Sequence, residues 1–89
     1  MKFMYYHVYA LYNKNCAKIY IGQTQNLDER IDLHRKKIFE NSYTAKLPGE
    51  WILIYREKVN NRKDALKREK QLKSYQGRQF IKSLIPTNL

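Results

Sequence analysis

Residues 3–22 read FMYYHVYALYNKNCAKIYIG, two runs of aromatic and β-branched side chains held apart by a short Asn-containing break. Such side chains suit the pleated, half-buried surface of a sheet, so the pattern predicts a β-hairpin with strands over Phe3–Tyr12 and Lys18–Gly22. Beyond the hairpin the period changes. Leu27, Ile31 and Ile38 recur at helical spacings, Asn26 stands at an N-cap position, and Asp28 and Glu29 suit the positive end of a helix. Glu40–Glu50, with Asn41, Ser42, Pro48 and Gly49, has no clean period and reads as a loop. Trp51–Tyr55 reads as a third strand. Asn61–Tyr75 lacks Gly and Pro and is rich in Lys, Arg, Leu, Glu and Gln, which predicts a helix starting near Asn61, with Gly77 ending it or marking a break. Arg78–Ile85 offers a last short helix before Pro86, with Phe80, Ile81, Leu84 and Ile85 as its apolar face. The order β-β-α-β-α-α predicts an α+β fold: a small, largely antiparallel three-stranded sheet flanked by helices.

The chain has 89 residues, a length that supports one core, and one domain over residues 1–89 is expected. Its hydrophobic fraction of 43% is enough to offset ordering entropy, which argues against disorder. Eighteen Lys and Arg against eight Asp and Glu give a formal net charge of +10. Charge of that density favours polyanions: nucleic acid first, and an acidic membrane surface second. No apolar run of about eighteen residues and no signal segment is present, so no membrane partner and a cytoplasmic location are expected. Cys16 is the single cysteine, which excludes an internal disulfide and a zinc finger of the usual spacing; it reads as a turn residue without function.

Three features carry chemistry. With Leu66 set at zero on a helical wheel of about 100° per residue, Leu72, Ala65 and Glu69 fall near 240°, 260° and 300°. Glu69 thus stands within an apolar arc, where a carboxylate needs a basic side chain, a hydrogen-bond donor or a metal ion. On the first helix, Arg30 and His34 are four apart and share a face: an Arg can hold a phosphate through two parallel bonds, and a His can move protons near neutrality. Both also suit the edge of an ordinary amphipathic helix. The hairpin is rich in phenols, with Tyr9 and Tyr20 among them. A Tyr hydroxyl can orient or deprotonate a water, given positive charge nearby to bring its pKa of about 10 down. Gly22 closes the second strand and permits a close backbone approach.

These parts combine into a family signature. His7-Val8-Tyr9, ahead of Tyr20-Ile21-Gly22, resembles the paired Gly-Ile-Tyr and Tyr-Ile-Gly elements that name the GIY-YIG nucleases. Gln23-Thr24-Gln25-Asn26-Leu27 then leads into Arg30 and His34, and Ala65–Lys73 looks like the helix that carries the family's metal-binding Glu. The resemblance spans roughly Met4 to Leu84 and is closest to the small stand-alone members, which are similar to the nuclease domain of bacterial excision-repair enzymes. His7 departs from the usual Gly, and the place of an Asn found in some members falls near Ile81, so that Asn's role is not carried over. The resemblance implies a metal-dependent endonuclease that hydrolyses phosphodiester bonds in nucleic acid, in repair or processing of structured DNA. It implies Glu69 as the ligand of one Mg2+, and Tyr9, Tyr20, Arg30 and His34 as catalytic residues. The basic residues after Asn61 would bind phosphates without reading sequence, leaving targeting to substrate shape or a protein partner. The alternatives are a non-catalytic nucleic-acid-binding module on the same fold and a structural protein for an acidic partner.

Overall fold

A computed structural model describes residues 5–35 and 49–86. Its elements are β1 (Tyr6–Asn13), β2 (Lys18–Thr24), α1 (Leu27–Arg35), β3 (Ile52–Val59), α2 (Arg62–Lys73) and α3 (Tyr75–Ser83). The three strands form one antiparallel sheet in the order β2-β1-β3, and the expected β-β-α-β-α-α architecture is observed. Phe3, Ile38 and most of the expected 40–50 loop lie outside the described residues.

β1 is the central strand, and alternation along it builds two cores. Val8 and Ala10 point to one face, where they pack with Ile21 of β2, Ala65 and Leu72 of α2 and Ile81 of α3. Tyr9 and Leu11 point to the other, where Leu27 of α1 and Trp51 cover them. A strand buried on both faces loses the polar alternation of a surface strand, which is why Val8, Tyr9, Ala10 and Leu11 run as an unbroken apolar stretch. Among the described residues, no helix is long and apolar enough to cross a membrane.

Three expectations need correction. β3 continues past Tyr55 to Val59, because Arg56, Glu57, Lys58 and Val59 pair with Tyr9, Val8, His7 and Tyr6; the polarity of an edge strand hides this in the sequence. β2 likewise runs on to Thr24, so Gly22 is an interior residue of the strand. The break between the last two helices falls at Ser74, which is extended, and Gly77 lies inside α3. Ser74 donates its backbone N–H to the Gln71 carbonyl and accepts from the Gly77 N–H at 3.2 Å, closing one helix and capping the next. Glycine is needed at 77 for another reason: a Cβ there would stand 2.2 Å from the Gln71 oxygen and 2.5 Å from the Leu72 Cα.

The helical wheel also shifts. Leu66 is 43% exposed, while Ala65 and Leu72 are buried, so the core stripe of α2 centres between the latter two. Arg68 and Glu69 flank that stripe by about 50° on either side. Arg68 turns toward β3 and donates to Glu57 at 3.1 Å. On α3 only Ile81 is buried; Phe80 and Leu84 are partly exposed, and Phe80 meets Tyr55 edge-on at 5.5 Å, because α3 is covered on one side alone.

Gly77→Ala therefore meets backbone, which cannot swing away as a flexible side chain can. It is expected to destabilise the fold by about 3 kcal/mol, at the upper end of overpacking costs. Urea denaturation measures this, and an unchanged midpoint would contradict the close approach of α3 to α2.

Candidate active site

The site grows from one strand pair. Tyr9 on β1 stands directly opposite Gly22 on β2. A Cβ at position 22 would lie 2.9 Å from the Tyr9 hydroxyl, 3.0 Å from its Cζ and 3.0 Å from Cε1 of Tyr20. The missing side chain is thus the space in which the Tyr9 ring lies, across β2 and toward the open edge of the sheet. Tyr9 is only 1% exposed, and its hydroxyl is hydrogen-bonded to Tyr20, whose ring centroid is 6.1 Å away. Burial raises the Tyr9 pKa well above the ordinary 10, and the neighbouring Tyr20 and Glu69 push the same way, while Arg30 opposes them. Tyr9 is accordingly a neutral phenol in this pocket.

Arg30 arrives from α1, on the layer that covers the Tyr9 face. The start of that helix is tied to the end of β2: Thr24, 92% buried, accepts the Asn26 N–H on its hydroxyl at 3.2 Å. Asn26 caps the helix as expected, accepting the Glu29 N–H at 3.1 Å while its own amide donates to the Glu29 carboxylate at 3.2 Å. The strand end and helix start form one unit, so the distance from Tyr20 to Arg30 along the chain becomes a fixed spatial offset. Arg30 is half-buried, within electrostatic reach of Tyr9. The His34 backbone belongs to α1, and its side chain lies outside the described residues.

Glu69 comes from the opposite layer, on α2, and its charge also reaches Tyr9. Its side chain is 22% exposed and its Oε2 lies 3.3 Å from Nζ of Lys73, one helical turn on. Of the compensators expected from the pattern, the basic side chain is the one present in the fold. The pair is no sealed salt bridge, however, because Lys73 is half exposed. Among the described residues no three metal-ligating side chains cluster, so Glu69 would serve alone. That donor set fits magnesium, which keeps several waters and commonly takes one or two carboxylates plus substrate phosphate oxygens.

Two clefts open near these groups. One, of about 300 Å³, is lined by Tyr20, Lys73, Arg78, Ile19 and Ile21, with Arg78 Nε donating to the Lys73 carbonyl at 3.1 Å. The other, of about 380 Å³, joins Arg30 to Gln23, Tyr6 and Arg62. Lys73 and Arg78 belong to the basic residues after Asn61 that the sequence assigns to phosphate binding, whereas Gln23 was given no role of its own. That Lys73 meets Glu69 was legible in their i,i+4 spacing; the place of Gln23 depends on which strand face meets which helix.

Tyr9, Tyr20, Arg30 and Glu69, spread over sixty residues of chain, therefore share one electrostatic neighbourhood at the β2 edge. Phenols, a guanidinium and a carboxylate within electrostatic reach of one another can together hold a phosphate, orient a water and accept a hard cation.

Comparison with known proteins bears on the fold and the family. The fold resembles the solution NMR structure of a UPF0213 protein from Bacillus halodurans, at a TM-score of 0.53 and 24% identity over 91% of this chain and 85% of that one. No curated protein is a significant match to the sequence. The family model of the GIY-YIG catalytic domain matches residues 5–81, and on that extent the chain belongs to the GIY-YIG nuclease family.

Proposed function

We propose that the protein is a metal-dependent endonuclease that hydrolyses phosphodiester bonds in nucleic acid, with DNA as its substrate and structured DNA, in repair or processing, as its target. The observation that carries this reading is the Tyr9 hydroxyl, seated over Gly22 against Tyr20 with Arg30 and Glu69 in electrostatic reach. An excess of ten positive charges supplies affinity for a polyanion, and the basic faces of α2 and α3 bear Lys67, Lys70, Lys73, Arg78 and Lys82.

Each residue has a role suited to its surroundings. Tyr9, held neutral by burial, orients the attacking water through its oxygen rather than removing a proton outright. Tyr20, its hydrogen-bond partner, stands nearer the solvent and takes part in passing the proton outward. Arg30 balances charge as it builds on the phosphate oxygens. His34, one turn further along α1, assists proton movement. Glu69 would hold Mg2+, and the ion would supply neutralisation of the charge that builds on the phosphate. Lys73 has to give up its contact with Glu69 for that ion, and the exchange is cheap because an exposed i,i+4 pair is worth about 0.5 kcal/mol.

Gly22→Ala tests the carrying observation. The added methyl displaces the Tyr9 hydroxyl, and cleavage of a branched or nicked DNA panel is expected to slow by about 100-fold, since misplacement of about 1 Å carries that cost, while nucleic-acid affinity stays within a few-fold. A variant that cuts at the parent rate would remove Tyr9 from the mechanism.

Arg30→Ala is expected to lower kcat by about 100- to 1000-fold, the scale of losing one preorganised transition-state donor, with circular dichroism unchanged. Equal losses in binding and turnover would instead assign Arg30 to affinity.

Glu69→Gln keeps the shape and removes the charge. Its melting temperature in the absence of metal should stay within about 2–4 °C of the parent, because the exposed pair with Lys73 contributes little, while the magnesium-induced rise in melting temperature and the cleavage disappear together. A parent protein that shows neither magnesium response nor cleavage, yet binds DNA, would point to a non-catalytic binding module.

A further inference from the structure

The cleft of about 380 Å³ at the far end of β2 is built differently from the phenol edge. Four elements line it: Tyr6 from β1, Gln23 and Thr24 from β2, the start of α1 with Arg30, and Arg62 from the start of α2. Its volume falls within the range of about 300–1,000 Å³ typical of small-ligand sites. Several of its polar groups already have partners: Thr24 accepts from the Asn26 N–H, and Asn26 and Glu29 hold each other in the helix cap.

Arg62 and the Gln23 carbonyl have none among the described residues. Arg62 is exposed and makes no ion pair among the described residues. Gln23 is the more telling, because its Oε1 is sealed from solvent without a hydrogen-bond partner among the described residues. A buried carbonyl left unpaired is costly and therefore rare in folded proteins. Glutamine also lies here on an apolar strand face: Ile19, Ile21 and Gln23 alternate onto the side of β2 that packs with Val8 and Ala10. An apolar residue would satisfy the fold better at that position. The last torsion of a glutamine is broad and roughly two-fold, so the amide can present oxygen or nitrogen to the cleft without leaving its rotamer.

We propose that this cleft is a nucleotide subsite, which receives the base and phosphate next to the bond that is cut. The Gln23 amide reads the base edge, Tyr6 forms the aromatic wall, and Arg62 holds the adjoining phosphate. Turned about its last torsion, the amide frees Oε1 and presents an acceptor and a donor side by side, and on the major-groove edge adenine, with its N7 acceptor beside its N6 donor, is the base that matches both. Arg30 joins this cleft to the phenol edge, so the base is read beside the reacting phosphate. The proposal rests on the nuclease reading for where the nucleotide comes from; the pocket and its unpaired amide do not depend on it.

Two measurements test it. In an NMR titration of the parent protein, adenosine 5′-monophosphate should shift the backbone amide signals of Gln23, Asn26 and Arg62 at lower concentration than its 7-deaza analogue, which lacks the N7 acceptor, or inorganic phosphate. In sequencing of cleavage ends from a randomised oligonucleotide, Gln23→Leu should erase an adenine preference of about tenfold beside the cut, while its melting temperature holds or rises. Arg62→Ala should weaken binding to all sequences alike and lower the salt dependence by about one phosphate contact. Inorganic phosphate reproducing the nucleotide shifts, or a base preference that survives in Gln23→Leu, would overturn the subsite. If Gln23→Leu does not fold, the titration of the parent decides alone. Adenosine-specific shifts without any cleavage would leave the subsite standing and sink the nuclease reading; cleavage without shifts or preference would do the reverse.

Discussion

One absent methyl group organises this molecule. Because Gly22 has no Cβ, the Tyr9 ring can lie across β2, and the hydroxyl of a residue from the central, doubly buried strand reaches the outer edge of the sheet. Any other residue at 22 would push that ring away or push β2 off its register. A phenol delivered in this way is rigid: it is walled by its own strand pair, hydrogen-bonded to Tyr20 and nearly free of solvent contact. Tyrosine suits the place, since its apolar body completes the core beside Leu11, Leu27 and Trp51 while its polar tip reaches Tyr20.

The edge of a sheet is also where its two layers meet. Arg30 belongs to the helix on one face and Glu69 to a helix on the other, so neither layer alone could bring both within electrostatic reach of Tyr9. Placing charged groups at this rim also avoids their burial. Glu69 stands about 50° off the core stripe of its helix, close enough to lose part of its hydration and far enough to keep solvent and Lys73 within reach. The result is a partly hydrated carboxylate held by an ion pair to a half-exposed lysine. Arg68, its mirror on the opposite flank of the stripe, is occupied by Glu57 and serves the packing of α2 on β3.

Much of the fold was legible because local rules and tertiary needs coincide. Asn26 and Asn61 are both caps in the structure as their chemistry predicts, and the aromatic hairpin is a hairpin. Legibility failed where pairing with another segment, rather than intrinsic preference, decides the outcome. Arg56–Val59 look like a polar loop until β1 offers them partners. Gly77 looks like a helix terminator until α3 crosses so close to Leu72 that only glycine fits. Leu66 looks like the centre of an apolar face until the packing direction of α2 turns it outward.

The sequence by itself determined the strand and helix order, the family signature and the identity of Tyr9, Tyr20, Arg30, His34 and Glu69 as the residues to watch, because each belongs to a short motif whose spacing is written in the chain. Tertiary structure alone decided that four of them share one edge, that Gly22 acts through the space it leaves to Tyr9, and that the Gln23 carbonyl has no partner among the described residues. The physical reason is that a motif records distances along the chain, whereas burial, electrostatic reach and hydrogen-bond satisfaction depend on which faces meet across it.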